Sequence, residues 1–360
     1  MSLMEAIIDV LNAKTPPSAE QKAKLDENES PFGPSKLAIK SIIDNIPKVS
    51  RYTDEIEKTF QEEISKKDKI PSKLITVSNG SDPLLRVFGQ MIAKDGQGQL
   101  IVPNTTYESV VTESKKYGAL ITGVDMNKDL SINLTAIENK INKQTTGIYI
   151  CNPNNPTGNK VNIAQLRDFI ARVSKYTPCL IDEAYIHMVD NWEKNTVIDM
   201  VEKFDNVMVT RTFSKIYGLA GQRIGYAAAS PNLMYKLNKI LPGPGFTNSL
   251  GLYAALASME DQKFLPDAKN KFKKARNSIY DIVKNLGLEM AADPQACFVY
   301  FNTKMNAENF QKQMAKFGVL VVGRVWAKYP TWSRVSVGLD WEIDKFKNSI
   351  EKVIKAEKQK

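Results

Sequence analysis

A lysine and an arginine near the middle of the chain could together bind a carbonyl compound that carries a phosphate. Lys215 comes directly after Ser214, just past an apolar run that begins at Val207. Partial burial lowers the pKa of a lysine and frees its amine lone pair to form a Schiff base with a carbonyl carbon. Arg223 follows in the same stretch and offers the planar set of N–H donors that suits a phosphate.

This combination indicates pyridoxal phosphate, a cofactor with one aldehyde and one phosphate group. A lone Ser-Lys pair is weak evidence, because most lysines lie on solvated surfaces. The hypothesis therefore depends on whether the elements around Lys215 deliver the other groups that this cofactor needs.

The elements that would position these groups form an alternating pattern from residue 74 onward. Short apolar runs separated by helical stretches are typical of an α/β fold, in which helices cover both faces of a mostly parallel sheet. Ligands of such sheets bind at the carboxyl ends of the strands, so the residues that follow each run are site candidates. The runs cover residues 74–77, 100–102, 120–124, 147–150, 179–181 and 207–210.

Residues that suit the ring of the cofactor follow three of these runs. Tyr107 could stack on the ring, and Asn155 and Tyr185 could form hydrogen bonds with its phenolic oxygen. Asp182 comes straight after an apolar run, where a carboxylate is costly to bury unless it is paired. A protonated ring nitrogen would be that partner, and its charge would make the ring an electron sink.

Other strand ends suit the phosphate. Ser81 precedes a predicted helix, and the free N–H groups of a helix N-terminus attract anions. Chance could supply one or two such groups, but hardly the whole ordered set. We expect the phosphate to be held by Gly80, Ser81, Thr212, Ser214 and Arg223, with Lys215 as the Schiff-base lysine.

The first 35 residues are predicted to form a helix and an arm. Residues 1–14 have the pattern of an amphipathic helix, without the long apolar core of a signal peptide. Pro and Gly are too dense in residues 25–35 for a helix, so this stretch is either a surface linker or an arm across the mouth of a site. Further helices are predicted to start after Ser35 and after Thr53, with Thr53 as the N-cap of residues 55–65.

The last part of the chain is expected to be a smaller α+β domain. A Pro- and Gly-rich break at residues 241–246 indicates a hinge between a large domain, residues 36–245, and a small domain, residues 246–360. The predicted elements of the small domain are a helix over 249–284, strands at 298–301, 319–322 and 334–337, and a final helix over 341–354 with its apolar face at Ile343, Phe346, Ile350 and Ile354.

The composition narrows the class of function. The three cysteines are too scattered for a disulfide framework or a zinc site, and a single histidine, His187, argues against metal catalysis and a Ser-His-Asp triad. We expect a cytoplasmic protein with no bound metal and no membrane span. The net charge of +9 is spread along the chain without a basic stripe, so no nucleic-acid partner is expected.

The chain carries seven motifs of one known family, spread over residues 25–338. They are LDENESPFGPS, RYTD, SNGSD, NPNNPTG, DEAY, TFSK with Arg223, and SRVSVG. With these motifs the chain resembles a fold-type I, class II pyridoxal-phosphate aminotransferase, and within that class the histidinol-phosphate aminotransferase group. The resemblance implies a large domain with a seven-stranded, mostly parallel sheet and a smaller C-terminal α+β domain.

The same resemblance implies roles for further residues. It implies a homodimer with shared active sites, in which Tyr52 reaches the cofactor phosphate of the neighbouring subunit and the arm covers the site. Asp82 joins the cofactor-binding residues, and Arg334 becomes a bidentate clamp for a substrate carboxylate. Asn28 and Arg324 are further candidates for substrate binding.

Several positions depart from the pattern of the family and leave the substrate open. Ser30 stands where the family often has asparagine, and Pro83 stands where it has glutamate. Cys297 replaces an asparagine and Val322 an arginine, while Arg324 lies shortly after Val322. These changes leave the predicted cofactor site intact.

We therefore predict an aminotransferase that works in two half-reactions, with Lys215, Asp182 and Tyr185 as its catalytic residues. The amino donor is histidinol phosphate, an aromatic amino acid or another amino acid, and the acceptor is a 2-oxo acid. A decarboxylase or C–S lyase on the same cofactor site stays open. A non-enzymatic, ligand-sensing domain of a transcription regulator is disfavoured, because only 24 residues precede Leu25.

Overall fold

A computed structural model describes residues 21–93 and 96–358 of the chain. The helix predicted for residues 1–14 lies outside the described residues. The strands are β1 Ala23–Lys24, β2 Ile75–Ser78, β3 Gln99–Pro103, β4 Leu120–Val124, β5 Thr145–Cys151, β6 Cys179–Asp182, β7 Val207–Thr212, β8 Gly225–Ala229, β9 Phe298–Asn302, β10 Val319–Leu320 and β11 Trp332–Ser336.

Helices cover both faces of the large sheet and build most of the C-terminal part. The α-helices are α1 Lys36–Asn45, α2 Asp54–Asp68, α3 Asp82–Ala93, α4 Ser109–Lys116, α5 Leu134–Glu138, α6 Ile163–Val173, α7 Pro231–Leu237, α8 Ser249–Glu260, α9 Phe264–Asn285, α10 Ala307–Ala315 and α11 Asp340–Lys358. Short 3₁₀ helices lie at Ile46–Lys48, Ser72–Leu74, Ile186–Met188, Trp192–Lys194, Ile198–Glu202 and Ala220–Gln222.

The large sheet contains all six strands that the sequence predicts. Its order is β2-β8-β7-β6-β5-β3-β4, and the strands from β7 to β4 pair in parallel. The seventh strand, β8, is antiparallel to both of its neighbours. Its run Gly-Tyr-Ala-Ala-Ala escaped prediction because alanine and glycine do not mark a strand as β-branched residues do.

The central strands are apolar throughout because helices pack on both faces of the sheet. In β6, Cys179 and Ile181 belong to one hydrophobic cluster, whereas Leu180 belongs to the other. Successive side chains of a strand point to opposite faces, so the split follows from the period of two. Phe169 of α6 fills the first cluster and Phe88 of α3 fills the second.

The two predicted helix starts differ in how they are capped. The Ser35 hydroxyl accepts a hydrogen bond from the backbone N–H of Ala38 at 3.0 Å, which fixes the start of α1. Thr53 precedes α2, but its hydroxyl forms no capping bond and is buried without a partner. Thr53 therefore occupies the N-cap position as predicted, but its side chain does not cap the helix. The acids of the first turn, Asp54 and Glu55 among them, stabilise this end through the helix dipole instead.

The C-terminal part differs from prediction in two elements. The helix expected over residues 249–284 is two helices, α8 and α9, because the Asp261 carboxylate accepts hydrogen bonds from the backbone N–H groups of Lys263 and Phe264 and starts a new helix. The strand expected at 319–322 is only two residues long, and it pairs in parallel with β1 of the arm. The final helix is confirmed, with Ile343 and Phe346 buried as predicted.

The arm is an ordered segment of the C-terminal part. The Leu25 N–H donates to the carbonyl of Leu320, and the Leu25 carbonyl accepts from the N–H of Ser336. The arm therefore lies between β10 and β11, and its residues 26–29 line the cavity described below. The domain limits at residues 35 and 245 stay a prediction. Helix α8 follows the second limit, but it packs on α1 and α2 of the predicted large domain.

Candidate active site

One cavity of about 710 Å³ lies at the carboxyl ends of the parallel strands, under the arm. Gly80 lies beside the cavity against Arg223, whereas Tyr52 lies elsewhere and is 90% exposed. The predicted site residues that line it are Asn28, Ser81, Asp82, Tyr107, Asn155, Asp182, Tyr185, Thr212, Ser214, Lys215, Arg223, Arg324 and Arg334.

Lys215 follows β7 and presents its amine to this cavity. Its Nζ lies 3.4 Å from the backbone carbonyl oxygen of Glu27 and 6.0 Å from the centre of the Tyr185 ring. Burial lowers the pKa of Lys215, with help from the charges of Arg334 and Arg223. A lysine in this setting has a larger neutral, nucleophilic fraction than one on the surface.

Asp182 ends β6 and is almost fully buried. Its carboxylate accepts hydrogen bonds from the Thr210 hydroxyl at 3.1 Å, the Ala184 N–H at 3.2 Å and the Tyr149 hydroxyl at 3.3 Å. Burial raises the pKa of Asp182 to about 6, against which these hydrogen bonds act. Among the described residues it has no cationic partner within salt-bridge distance, so a cationic ligand group would be the missing partner.

Hydroxyl groups and a guanidinium form a cradle at the other end of the cavity. The Thr212 hydroxyl lies 2.9 Å from that of Ser214, and Nη1 of Arg223 lies 3.3 Å from the Ser214 hydroxyl. Gly80, with φ +86°, lies directly against the Arg223 guanidinium at the edge of this cradle. This set of donors suits a phosphate group.

Tyr107 and Asp82 interact with each other at the wall of the cavity. The Tyr107 hydroxyl donates to Asp82 at 3.2 Å, and Arg86 and Ser109 bind the same carboxylate. Burial acts to raise the pKa of Asp82, but the hydrogen bonds from Ser109 and Arg86 outweigh it and lower the pKa. The Asp82 carboxylate is thus already bound by other side chains. Asp82 could contribute to phosphate binding only through its backbone N–H at the N-terminus of α3.

Arg334 on β11 is a buried cation that faces the cavity. It is 7% exposed. Its Nη1 donates to the side-chain oxygen of Asn155 at 2.9 Å, and its Nη2 donates to the backbone carbonyl of Asp26. Its Nε is buried without a partner. In the described part of the chain no carboxylate forms an ion pair with it.

Arg324 stands in a different setting. It is partly exposed, and its guanidinium lies 3.5 Å from the carboxylate of Glu108 on the large-domain side. Val322 and Trp326, from the same segment, also line the cavity. The wall of the cavity that these three residues form, here called the distal wall, is therefore partly apolar. Its one cation, Arg324, is already paired with Glu108.

The charges of the cavity are complementary to one kind of ligand. Over residues 21–93 and 96–358, Lys215, Arg223 and Arg334 form no ion pair, and Asp182 forms none either. A molecule with a phosphate, a carbonyl carbon and a cationic ring nitrogen would satisfy Arg223, Lys215 and Asp182, and would leave Arg334 for a second anion. The residues present therefore fit pyridoxal phosphate together with an anionic substrate.

Comparison with known proteins decides the family. Residues 20–350 match the family model described as aminotransferase class I and II. This chain belongs to the class I and II aminotransferases. It is 32% identical to histidinol-phosphate aminotransferase 2 of Haemophilus influenzae (strain 86-028NP), over 92% of this chain and 90% of that protein. It is 30% identical to the histidinol-phosphate aminotransferase of Caldicellulosiruptor saccharolyticus, over 93% of this chain and 92% of that protein.

Solved structures share the fold of this aminotransferase. A putative histidinol-phosphate aminotransferase from Erwinia carotovora atroseptica superposes with a TM-score of 0.88 at 26% identity, over 96% of this chain and 99% of that one. The histidinol-phosphate aminotransferase of Sinorhizobium meliloti, solved in complex with pyridoxal-5'-phosphate, superposes with a TM-score of 0.86 at 22% identity, over 96% of this chain and 97% of that one.

These findings confirm four predictions. The protein has the α/β architecture of fold type I, it is an aminotransferase, its cofactor is pyridoxal phosphate, and its relatives include the histidinol-phosphate aminotransferases. In the described residues, no helix is both long enough and apolar enough to cross a lipid bilayer. The roles of individual residues stay predictions.

The aminotransferase site also depends on residues that sequence reasoning missed. Tyr149 and Thr210 hold the Asp182 carboxylate from the neighbouring strands β5 and β7. Strand period could have found Thr210, which lies two residues before Thr212 on the same strand. Cys297, by contrast, was singled out as a departure, and its buried thiol lies 3.8 Å from the Asn28 carbonyl oxygen.

A buried ion cluster supports the site from behind. Arg211 donates to the Glu183 carboxylate at 2.8 Å and to the Asp68 carboxylate at 2.7 Å, and the Tyr226 hydroxyl donates to Asp68 at 2.6 Å. His187 packs nearby against the rings of Trp192 and Tyr217, and burial lowers its pKa. The cluster fixes the strand ends that carry Asp182 and Thr212.

Proposed function

We propose that this aminotransferase transfers the amino group of histidinol phosphate to a 2-oxo acid such as 2-oxoglutarate. Two curated relatives of that name are 30–32% identical over nine tenths of the chain, which supports this donor. The observation that carries the proposal is the buried guanidinium of Arg334, which lines the cavity and pairs with no carboxylate among the described residues.

Arg334 suits both substrates of such a reaction. A guanidinium binds the oxygens of a phosphate monoester or of a carboxylate through the same planar pair of N–H groups. The donor has a phosphate close to its amino group, and the acceptor has a carboxylate next to its oxo group. Because the two bind in turn, one buried cation serves both half-reactions.

The remaining residues have distinct roles in this proposal. Bound pyridoxal phosphate supplies an electron-poor ring that draws electrons from the substrate carbon. Asp182 would hold a proton on the ring nitrogen, and the hydroxyls of Thr212 and Ser214 would hold the phosphate with Arg223. Nζ of Lys215 would hold the aldehyde carbon of the cofactor and, once released, would accept the proton of the substrate carbon.

An absorbance experiment tests the donor. The cofactor-loaded protein is mixed in turn with histidinol phosphate, glutamate, phenylalanine and arginine, and the conversion of the cofactor from its aldehyde form to its amine form is followed. We expect histidinol phosphate and glutamate to convert the band, and a 2-oxo acid to restore it. In Arg334→Lys we expect the half-saturating donor concentration to rise roughly tenfold or more, since lysine lacks the planar fork.

Three outcomes would contradict the proposal. The donor is wrong if glutamate converts the band and histidinol phosphate does not. A decarboxylase or C–S lyase would release carbon dioxide or a thiol without leaving the amine form of the cofactor. If no donor changes the band at all, the regulator alternative regains support.

The second candidate donor is an aromatic amino acid. Val322 and Trp326 make the distal wall partly apolar. Arg324, the arginine of that wall, is paired with Glu108. Phenylalanine would then convert the band at a lower concentration than histidinol phosphate. Val322→Arg would reverse the order of the two donors by adding a distal cation.

The assembly that we propose is a homodimer in the cytoplasm. Tyr52 is exposed together with other large apolar side chains, Ile46, Val49 and Phe246. A second copy of the chain that covers this face would bring Tyr52 to the cofactor phosphate of its neighbour. Three cysteines that are all free and buried agree with a reducing compartment.

A further inference from the structure

The hydroxyl group of Tyr185 lies between two side-chain amides. Nδ2 of Asn28 lies 2.9 Å from the Tyr185 oxygen, and Nδ2 of Asn155 lies 3.5 Å from it. An amide nitrogen can only donate, so the Tyr185 oxygen acts as the acceptor in both contacts. Its own hydrogen must then point away from both amides.

Ser336 decides which way the Asn28 amide points. The backbone N–H of Asn28 donates to the Ser336 hydroxyl oxygen at 3.0 Å, which leaves that hydroxyl free to donate to Oδ1 of Asn28 at 2.6 Å. Both residues are buried. If the amide were reversed, the Ser336 hydroxyl would lose its acceptor, and an unpaired buried hydroxyl is costly. Oδ1 therefore faces Ser336 and Nδ2 faces Tyr185.

Arg334 fixes the second amide in the same sense. Because a guanidinium can only donate, its Nη1 at 2.9 Å requires Oδ1 of Asn155, and Nδ2 is left facing Tyr185. Arg334 and Ser336 are two residues apart in β11 and lie on one face of that strand. A single strand of the C-terminal part thus orients both amides around one phenol of the large sheet.

We propose that Ser336 is a positioning residue for Tyr185. Through Asn28, the Ser336 hydroxyl makes the Tyr185 oxygen an acceptor toward the protein and turns the phenolic hydrogen into the cavity, where it is donated to the ring oxygen of the cofactor. This proposal rests on the proposed function, because only bound pyridoxal phosphate supplies that ring oxygen.

The consequence is a change in how tightly the bound cofactor holds a proton. The ring oxygen carries negative charge and attracts the proton on the neighbouring nitrogen that Lys215 contributes. A hydrogen bond donated by Tyr185 spreads that charge and weakens the attraction. Without the Ser336 hydroxyl the amide of Asn28 can reverse, Tyr185 donates to Asn28 instead, and the proton is held more tightly.

Other charged and titratable groups also face Tyr185. They are the cations Lys215 and Arg334 and the thiols Cys151 and Cys297, which burial keeps neutral by raising their pKa. Burial of the phenol is the largest influence on the pKa of Tyr185, which it raises. All of these groups are retained in the variants described next, so they contribute equally to each measurement.

The experiment follows the absorbance of the cofactor-loaded protein as the pH is raised. The midpoint of the change from the protonated to the unprotonated band is compared in the wild type, Ser336→Ala and Ser336→Thr. We expect the midpoint of Ser336→Ala to rise by about 0.5 to 1 pH unit, the equivalent of one hydrogen bond. Ser336→Thr keeps the hydroxyl and should keep the wild-type midpoint.

A double variant separates positioning from a general effect on the cavity. Tyr185→Phe should also raise the midpoint, and adding Ser336→Ala to it should cause no further change, because Ser336 acts through the phenol. Asn28→Asp should raise the midpoint further, since its carboxylate accepts from Tyr185 and also adds a negative charge to the cavity. Ser333→Ala is the matched control: that hydroxyl is buried in the same strand but donates to the Val322 carbonyl at 3.1 Å.

The outcomes distinguish the two proposals. An unchanged midpoint in Ser336→Ala would overturn the role of Ser336, and so would a double variant whose shift is the sum of the single shifts. The absence of a cofactor band in the wild type would overturn the proposed function instead. If Ser336→Ala does not fold, Ser336→Cys takes its place, because a thiol is a weak donor to Oδ1 of Asn28.

Discussion

Gly80 and Arg223 are in such close contact that a Cβ atom on Gly80 would overlap the guanidinium of Arg223. Gly80 also has φ +86°, a conformation that costs a side-chain-bearing residue about 1–2 kcal/mol. The absence of a side chain at position 80 is therefore what lets Arg223 close over the cradle at the start of α3.

Gly80→Ala should accordingly weaken cofactor binding. We expect the dissociation constant of pyridoxal phosphate to rise by about tenfold or more, because Arg223 must leave the cradle. The constant is measured by titrating the cofactor-free protein and following absorbance. Gly243→Ala is the control, since an added Cβ there meets no atom within 4 Å. Equal affinity in the two variants would contradict the prediction and show that Arg223 adapts to a side chain at position 80.

Asp182→Asn should have opposite effects on stability and on cofactor binding. In the cofactor-free protein, burial raises the pKa of Asp182 from 3.8 to about 6. A raised pKa means that the folded state binds the proton more tightly than the unfolded state. The native state is therefore progressively destabilised as the pH rises from about 4 to about 6, and the full cost persists above that range.

Denaturant unfolding of the cofactor-free protein at several pH values tests this sign. Asp182→Asn should be more stable than the wild type near pH 8, by up to about 3 kcal/mol, and similar to it near pH 4. The same variant should bind the cofactor about 100-fold more weakly, because a neutral amide cannot pair with a charged ring nitrogen. Parallel stability profiles for the two proteins would contradict the pKa assignment.

Asp68→Asn should destabilise the fold without touching the cavity. Its carboxylate pairs with Arg211, and the two side chains are only 4% and 1% exposed. The variant leaves Arg211 paired with Glu183, but it weakens the bonds that Arg211 and the Tyr226 hydroxyl donate to position 68, which should cost about 1–3 kcal/mol. The control is Glu138→Gln, because its ion pair with Arg172 is largely exposed and should contribute no more than about 1 kcal/mol. A similar loss in both variants, measured by denaturant unfolding, would refute the prediction.

A mixed dimer tests whether Tyr52 acts on the neighbouring subunit. Lys215→Ala alone should have no turnover, and Tyr52→Ala alone should be inactive at a limiting cofactor concentration. In a mixed dimer, the subunit with Tyr52→Ala keeps Lys215 and meets an intact Tyr52 from its neighbour. Random mixing should therefore restore about a quarter of the wild-type activity per site. Activity equal to the sum of the two separate variants would place Tyr52 outside the shared site.

The chemistry of the site could be predicted because each key residue follows a strand directly in sequence. Asp182 follows an apolar run, as do Lys215 and Asn155, and the carboxyl ends of parallel strands meet at one edge of the sheet. Local sequence thus determined both the identity of these groups and their convergence. The same logic identified the large sheet, apart from the alanine-rich β8.

Tertiary structure alone decided how those groups are oriented and paired. Asn28 and Ser336 are 308 positions apart, and so are Asp26 and Arg334. Nothing local to either residue predicts such a bond, because it exists only when the arm packs between β10 and β11. The pairing of Arg324 with Glu108 arises in the same way, from two loops that meet over the cavity. The sequence by itself therefore determined which cofactor the groups can bind. Long-range packing decided how the hydrogen bonds of these groups are directed and which charges are left for a ligand.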